Sequence, residues 1–359
     1  MGLGFSCGWL TLFIEIVSAY KTQTFINLIK INFAKNTIIM KAAIYTKYGS
    51  PEVIQIIDVE IPSPKPNEVL IKIKASSVTR ADTMMRQGIP KFGRLFLGLF
   101  KPKNTALGTG FSGVVKAIGS QITKFKVGDE VFGEKLFSTG SNSDFLCMSE
   151  NELLENKPKN ISHIEAAPIC DGFLTSYNFL KEHAKLKKDQ HILINGASGS
   201  LGSAAVQLAK IMGAKVTGVC STKNIDFVLS LGADEVLDYT IIKVNELQSK
   251  YDVVYDTVGK LSYSNTKNVL KANGIFMTPV LRVGVLWQML LHPKKVKFEA
   301  TGIKKTEDLK RLLNDLVNFF KQGKLHTHID KKYHLMDIRY AHQHLDTGRK
   351  VGNVVIINP

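Results

Sequence analysis

The chain has 359 residues, 44% of them hydrophobic and 22% charged, enough for two ordinary domains with a core each. No segment is of low complexity and no fixed period recurs, which excludes solenoid and propeller arrays. The net charge of +16 favours anionic partners through long-range attraction. Its lysines are spread through every segment without interleaved aromatics, so a generally basic surface is expected and no specific nucleic-acid groove.

The first 39 residues stand apart from the rest. Leu3 to Tyr20 is strongly apolar but carries Glu15 and has no Lys or Arg before it, so it lacks the charged start of a secretory signal. As a membrane span it is short, and its carboxylate would be costly at the bilayer centre. Two expectations stay open: a poorly ordered or spurious extension ahead of a start at Met40, or an anchor with Lys21, Lys30 and Lys35 on the cytoplasmic side. Cys7, Cys147, Cys170 and Cys220 are far apart. That spacing offers no structural zinc site and no disulfide framework, and points to a reducing compartment such as the cytoplasm.

From Met40 the pattern is that of short strands. Lys41–Tyr45, Ile54–Val59, Val69–Ala75, Gly113–Ile118 and Glu130–Gly133 are separated by turn residues such as Pro62 to Pro66, which predicts a small, partly open barrel. Near Ile164 the period changes to a helical one, through Ala166, Ala167, Ile169, Phe173, Tyr177 and Leu180. Strand and helix then alternate: strands at His191–Ile194, Lys215–Val219, Glu235–Tyr239, Val253–Asp256 and Gly274–Pro279, helices at Leu201–Met212 and Ile225–Leu231. Alternation of this kind predicts a parallel sheet with helices on both faces. Thr306 is expected to cap a helix with Leu309, Leu312, Leu313, Leu316 and Phe320 on one face and Gly323 beyond its end. A strand near His328–Tyr333, a helix near Asp337–Leu345 and a strand at Asn353–Asn358 close the chain. The last strand is expected to return to the first domain.

Between the strand at His191–Ile194 and the helix that follows runs Asn195-Gly196-Ala197-Ser198-Gly199-Ser200-Leu201-Gly202. A strand that enters a glycine turn and leaves as a helix aims backbone N–H groups and the positive helix end at one point, where a pyrophosphate can sit. Gly196 would keep the turn tight, Gly199 would admit the phosphate, and Gly202 would let the helix pack close. Cofactor-binding residues are therefore expected at Gly196, Ser198, Gly199, Ser200, Leu201 and Gly202. At the end of the second strand stands Val219-Cys220-Ser221-Thr222-Lys223, with no acid to hold a ribose 2′-hydroxyl. Two hydroxyls beside a lysine would accept a 2′-phosphate, which favours NADPH over NADH. Ser221 to Lys223 could also merely cap the next helix.

Further short segments recur in order along the chain. They include Met40-Lys41-Ala42-Ala43, Asn67-Glu68-Val69-Leu70-Ile71, Val127-Gly128-Asp129-Glu130-Val131-Phe132-Gly133, Leu231-Gly232-Ala233-Asp234, Tyr251 to Gly259 and Gly352-Asn353-Val354-Val355. With the glycine turn, these segments make residues 40–359 resemble the medium-chain dehydrogenase/reductase superfamily, in its zinc-independent quinone-oxidoreductase branch. The resemblance implies an α/β chain: a GroES-like, partly open β-barrel formed by both chain ends (40–165 and 303–359) around an inserted Rossmann domain (166–302), a doubly wound parallel sheet that binds NADP. It implies an active site in the cleft between them and a homodimer. By position, Thr175 would contact the nicotinamide end, while Ser221, Lys223, Tyr239 and Arg349 would surround the 2′-phosphate.

Zinc-dependent relatives carry a cysteine on the loop here reading Val78-Thr79-Arg80-Ala81-Asp82, and a His-Glu pair where Thr109-Gly110 stands. Both are absent, so no zinc is expected. Without that Lewis acid, quinones and α,β-unsaturated carbonyls remain as small lipophilic hydride acceptors. Thr79 is expected to touch substrate or nicotinamide and Asp82 to orient it, against the alternative that both only hydrogen-bond within the loop. A tyrosine found in many members is replaced at Thr83-Met84-Met85-Arg86, which leaves the proton donor open. Phe92 to Phe100, with Leu95, Phe96, Leu97 and Leu99, is either an apolar flap or a self-packed loop. A non-catalytic nucleotide-binding module on the same fold is the rival reading.

Overall fold

The structure, a computed structural model, describes residues 39–135 and 140–358. Of two compact units, one takes in Ile39, Met40 and Asp58–Ile61 among the described residues, and the other is Lys41–Ile57 with Pro62–Pro359. The latter carries everything that follows except the ends of the first two strands, Ile39–Met40 and Asp58–Glu60. Apart from Ile39, the expectation for the first 39 residues lies outside the described residues.

Strands β1 (Ile39–Tyr45) and β2 (Ile54–Glu60) form a two-stranded sheet. A larger sheet follows from β3 (Glu68–Val78), β4 (Gly110–Ile118), β5 (Glu130–Glu134), β6 (Phe145–Ser149) and β7 (Leu153–Asn156). In β3, Val69, Ile71, Ile73 and Ala75 are buried while Lys72 and Lys74 keep exposed surface between them, the period of two that a half-covered strand requires. Between β3 and β4 lies helix α1 (Arg80–Gln87), closed at its C-terminus by Gly88 in the left-handed region.

A parallel sheet comes next, from β8 (His191–Asn195), β9 (Lys215–Cys220), β10 (Glu235–Asp238), β11 (Tyr251–Asp256), β12 (Leu270–Thr278) and β13 (Val296–Phe298). Its order is β10-β9-β8-β11-β12-β13, so the chain winds outward from β8 in one direction and from β11 in the other. The reversal falls between β8 and β11, the place where open α/β sheets hold ligands beyond their strand ends. Ile192, Leu193 and Ile194 of β8 are all buried, as a central strand covered on both faces demands. Helices α2 (Ser200–Ile211), α3 (Ile225–Ser230) and α4 (Val283–Leu291) belong to this part of the chain.

Helices α5 (Thr306–Lys321) and α6 (Ile338–Asp346) and strands β14 (Ile329–His334) and β15 (Asn353–Ile357) complete the fold. The larger sheet runs β14-β15-β3-β4-β5-β7, with β6 also on β3. Val354–Ile357 pairs antiparallel with Ala75–Val78, so the last strand does return to the first domain. The expected α/β architecture, a GroES-like domain with a Rossmann-like parallel sheet, is the one observed.

Three features differ from expectation. Lys305, not Thr306, is the N-cap of α5: Lys305 has extended backbone and Thr306 is already helical, with no side-chain cap present. The helix expected from Ile164 is a run from His163 to His183 that takes π geometry at Cys170–Leu174 and Phe179–His183, around an α turn at Thr175–Asn178. Strands β6, β7 and β13 and helices α1 and α4 were not foreseen. In Phe92–Phe100, which stays open between flap and self-packed loop, Leu95, Leu99 and Phe100 are exposed, and Arg94 over the Tyr48 ring and the Tyr48 hydroxyl on Gly98 O, 2.6 Å, hold the segment.

The main core joins α2, the π segments and the apolar row of α5, with the Phe173 and Phe320 rings edge to face at 5.0 Å. Each fully buried Leu in that row contributes about 1.5–3 kcal/mol. This packing fixes the helical run against the first turn of α2.

Candidate functional site

The glycine turn is built by contacts that a larger residue would break. Gly196 has φ +80, and its N–H and that of Ala197 both donate to Val219 O at 3.0 Å, tying the turn to β9. A Cβ on Gly202 would stand 2.1 Å from Gly196 O, so α2 can approach the turn only with glycine there. At Gly199 the nearest atom to a Cβ is Gly196 O at 3.4 Å, which leaves the space above the turn open. Gly199 is the N-cap of α2 and gives it no side-chain hydrogen bond. The first-turn N–H groups lie outside the intrahelical ladder and face that space with the positive helix end, a setting for an anion.

The surrounding residues hold the turn in place. Ser198 O accepts from Gly352 N at 2.8 Å, and Ser198 Oγ accepts from Asn224 Nδ2 at 3.1 Å. Ser200 Oγ lies 2.6 Å from Asn353 Oδ1 and 3.3 Å from Asp171 Oδ2. The C-terminal arm thus meets the turn at Gly352 and Asn353, and Ser176 Oγ, donating to Leu201 O at 2.8 Å, brings the helical run there too. Thr175, its neighbour, is half-exposed.

Beyond β9, Tyr239 N donates to Cys220 O at 3.1 Å, which sets Tyr239 beside Ser221. Lys223, Tyr239 and Arg349 are exposed, and Lys223 and Arg349 make no ion pair among the described residues. Arg349 stands on the arm three residues before Gly352. Sequence reasoning missed Asp238, which the β9–β10 register places opposite Cys220. Its carboxylate accepts from Thr222 Oγ1 and from the Thr240 N–H and hydroxyl, bonds that hold it below the usual carboxylate range.

Thr79 and Asp82 are brought together as a capping box at the start of α1. Thr79 N and Oγ1 each donate to Asp82 Oδ2 at 2.7 Å, and Asp82 N donates to Thr79 Oγ1 at 3.1 Å. Both are buried. Burial raises the Asp82 carboxyl to about 6, with the Thr79 bonds opposing and the charge of Asp171 assisting.

Glu134, Asp171 and Lys350 were not foreseen either. Burial, then the Asp171 charge, raises the Glu134 carboxyl to about 8. Burial raises Asp171, against the pull of Lys350 and Ser200, and burial lowers Lys350, against Asp171 and Asp330. Asp171, the charged residue within Cys170–Leu174, was the available signal. A cavity of about 850 Å³ lies elsewhere, at the far end of α2, lined by Lys210, Phe227, Lys324, His326 and His328 among others.

A parallel sheet with a glycine turn at its reversal, beside a barrel built from both chain ends, defines a dinucleotide-dependent oxidoreductase. Residues 65–190 match the model of the alcohol dehydrogenase GroES-like domain and residues 231–356 that of the zinc-binding dehydrogenase. The chain is 31% identical to the chloroplastic quinone-oxidoreductase homolog of Spinacia oleracea, over 89% of this chain and 98% of that one. It is 34% identical to the 2-methylene-furan-3-one reductase of Solanum lycopersicum, over 88% and 79%. The Escherichia coli quinone oxidoreductase complexed with NADPH superposes with a TM-score of 0.76 at 26% identity, covering 89% of this chain and all of that one. The chain belongs to the medium-chain dehydrogenase/reductase superfamily, in its quinone-oxidoreductase branch, and is an NAD(P)H-dependent oxidoreductase. A non-catalytic module is not favoured.

Proposed function

We propose that the chain is an NADPH-dependent, zinc-independent reductase of quinones or α,β-unsaturated carbonyls. The observation that carries this reading is the uncapped first turn of α2, open above Gly199 at the reversal of the parallel sheet. Gly196, Ser198, Gly199, Ser200, Leu201 and Gly202 hold the pyrophosphate. Ser221, Lys223, Tyr239 and Arg349 hold the 2′-phosphate, since the nearby Asp238 is occupied by Thr222 and Thr240. Bound there, the dinucleotide supplies hydride. Thr175 lies at the nicotinamide end, and the Thr79–Asp82 box fixes the start of α1 beside the substrate.

The zinc-independent part of this reading rests on the sequence, where the loop Val78–Asp82 has no cysteine and Thr109-Gly110 stands where zinc-dependent relatives carry a His-Glu pair. In this reading residues 40–165 and 303–359 shape the substrate side, residues 166–302 bind NADPH, and the enzyme is a cytoplasmic homodimer. No helix of the described residues is long and apolar enough to cross a membrane. NADPH oxidation across a panel of quinones and enones, run with and without a zinc chelator, tests the reading. Turnover untouched by the chelator is expected. No turnover with any acceptor, or loss of activity on chelation, would overturn it.

A further inference from the structure

The end of α2 opposite the glycine turn borders the cavity of about 850 Å³, which Gln207, Lys210 and Ile211 help to line. Pockets of about 300–1,000 Å³ hold drug-sized ligands. At the α-helical rise, this end of α2 lies roughly 16 Å from the turn, clear of the proposed pyrophosphate site.

The lining has an apolar part and a cationic part. Ile211, Phe227 and Leu231 pack against the main core and also line the cavity. The segment after α5 contributes Lys324, His326 and His328. The His328 and Phe227 rings meet with centroids 4.4 Å apart, so the two parts adjoin.

The side chains of Lys324, His326 and His328 make no hydrogen bond or ion pair among the described residues, and no Asp or Glu lines the cavity. Lys210 is committed to both carboxylate oxygens of Asp234, at 2.8 and 2.9 Å. Lys324 therefore stands without a counter-charge.

The backbone under these donors is fixed. His326 N donates to Gln207 Oε1 at 2.9 Å, and Gln207 Nε2 donates to His326 O at 3.0 Å. Gln207 is itself buried. His328 O accepts from Asn353 N at 2.9 Å and from Asn353 Nδ2 at 3.0 Å. A ligand would not have to order this segment on binding, which is the advantage of a preformed site.

An ammonium and two imidazoles, each with at least one N–H to donate, with no carboxylate among them, suit an oxyanion. A phosphate monoester offers three terminal oxygens, one for each donor, where a carboxylate offers two. Ile211, Phe227 and Leu231 offer surface to its organic part. We propose that this cavity is a second ligand site, separate from that of the dinucleotide, and that it binds a phosphate monoester with an apolar or aryl body.

The probe is 1-naphthyl phosphate, titrated into the full chain by calorimetry with and without saturating NADPH, beside inorganic phosphate and 1-naphthol as its two halves. The ester is expected to bind about tenfold or more tighter than either half, because only it uses both parts of the lining, and NADPH should leave its affinity unchanged. Lys324→Glu should weaken the ester about tenfold or more, the scale of one charge-assisted bond, and His326→Ala should weaken it in the same direction. Lys321→Glu makes the same charge change at an exposed residue outside the lining and should leave binding as it is. An ester that does not bind, binds no tighter than inorganic phosphate or 1-naphthol, or is displaced by NADPH overturns the site. Equal weakening by Lys321→Glu and Lys324→Glu overturns it too, since a diffuse positive field would then account for the binding.

Discussion

Gly202 is the residue on which the turn closes. A methyl group there would lie 2.1 Å from the Gly196 carbonyl oxygen and 2.7 Å from Ala197 Cα, both backbone atoms that cannot rotate away. Gly202→Ala should therefore push α2 off the turn and weaken NADPH binding about tenfold or more, about 1.4 kcal/mol. A fluorescence titration giving wild-type affinity would contradict the account of the turn. This requirement was legible in the sequence, because a strand, three spaced glycines and a small-residue helix admit few other geometries. Asp238 was not, because it lies 18 residues beyond Cys220 in sequence and only the parallel register sets it opposite. Glu134 escaped because it reads alone as an ordinary polar residue at a strand end, and only the fold packs β5 on the π segment that carries Asp171.

At the scale of elements, the departures have physical causes. The run from His163 to His183 was read as a regular helix because apolar spacing does not distinguish α from π geometry. Its π segments flank Thr175, in keeping with the tendency of such irregularities to sit at functional sites. Helix α4 was missed because Leu286, Trp287, Leu290 and Leu291 are exposed, so its apolar residues form no core-facing stripe to read. Helix α1 is held to α6 by Arg86, which is fully buried. Its guanidinium donates to Asp346 Oδ2 at 2.5 Å, Gly49 O at 2.6 Å and His342 Nδ1 at 3.3 Å. The Arg86 charge and, above all, burial lower His342 to about 3, so the ring is neutral and accepts. Arg86→Met should destabilise the fold by about 3 kcal/mol, the low end for a broken buried pair, because Asp346 keeps 24% exposure. Thermal unfolding reads this directly, and an unchanged midpoint would contradict the pairing.

At the scale of the molecule, the last strand, β15, lies between β14 and β3 in the larger sheet, and the arm that carries it passes the glycine turn at Gly352. Fold and cofactor site are thereby linked, since the residues that complete the sheet also pin the turn. The net charge of +16 adds a field that favours a polyanionic cofactor, but it does not choose between the two dinucleotides. That choice falls to the strand ends, where Ser221 and Lys223 stand uncommitted and Asp238 is taken up by two threonines. The most direct test of the central claim is the ratio of kcat/KM for NADPH to that for NADH, in wild type and in Lys223→Glu. The account predicts an NADPH preference in wild type that falls about tenfold or more in the variant, the scale of one charge-assisted bond. A wild type that prefers NADH, or a variant that keeps its preference, would contradict it.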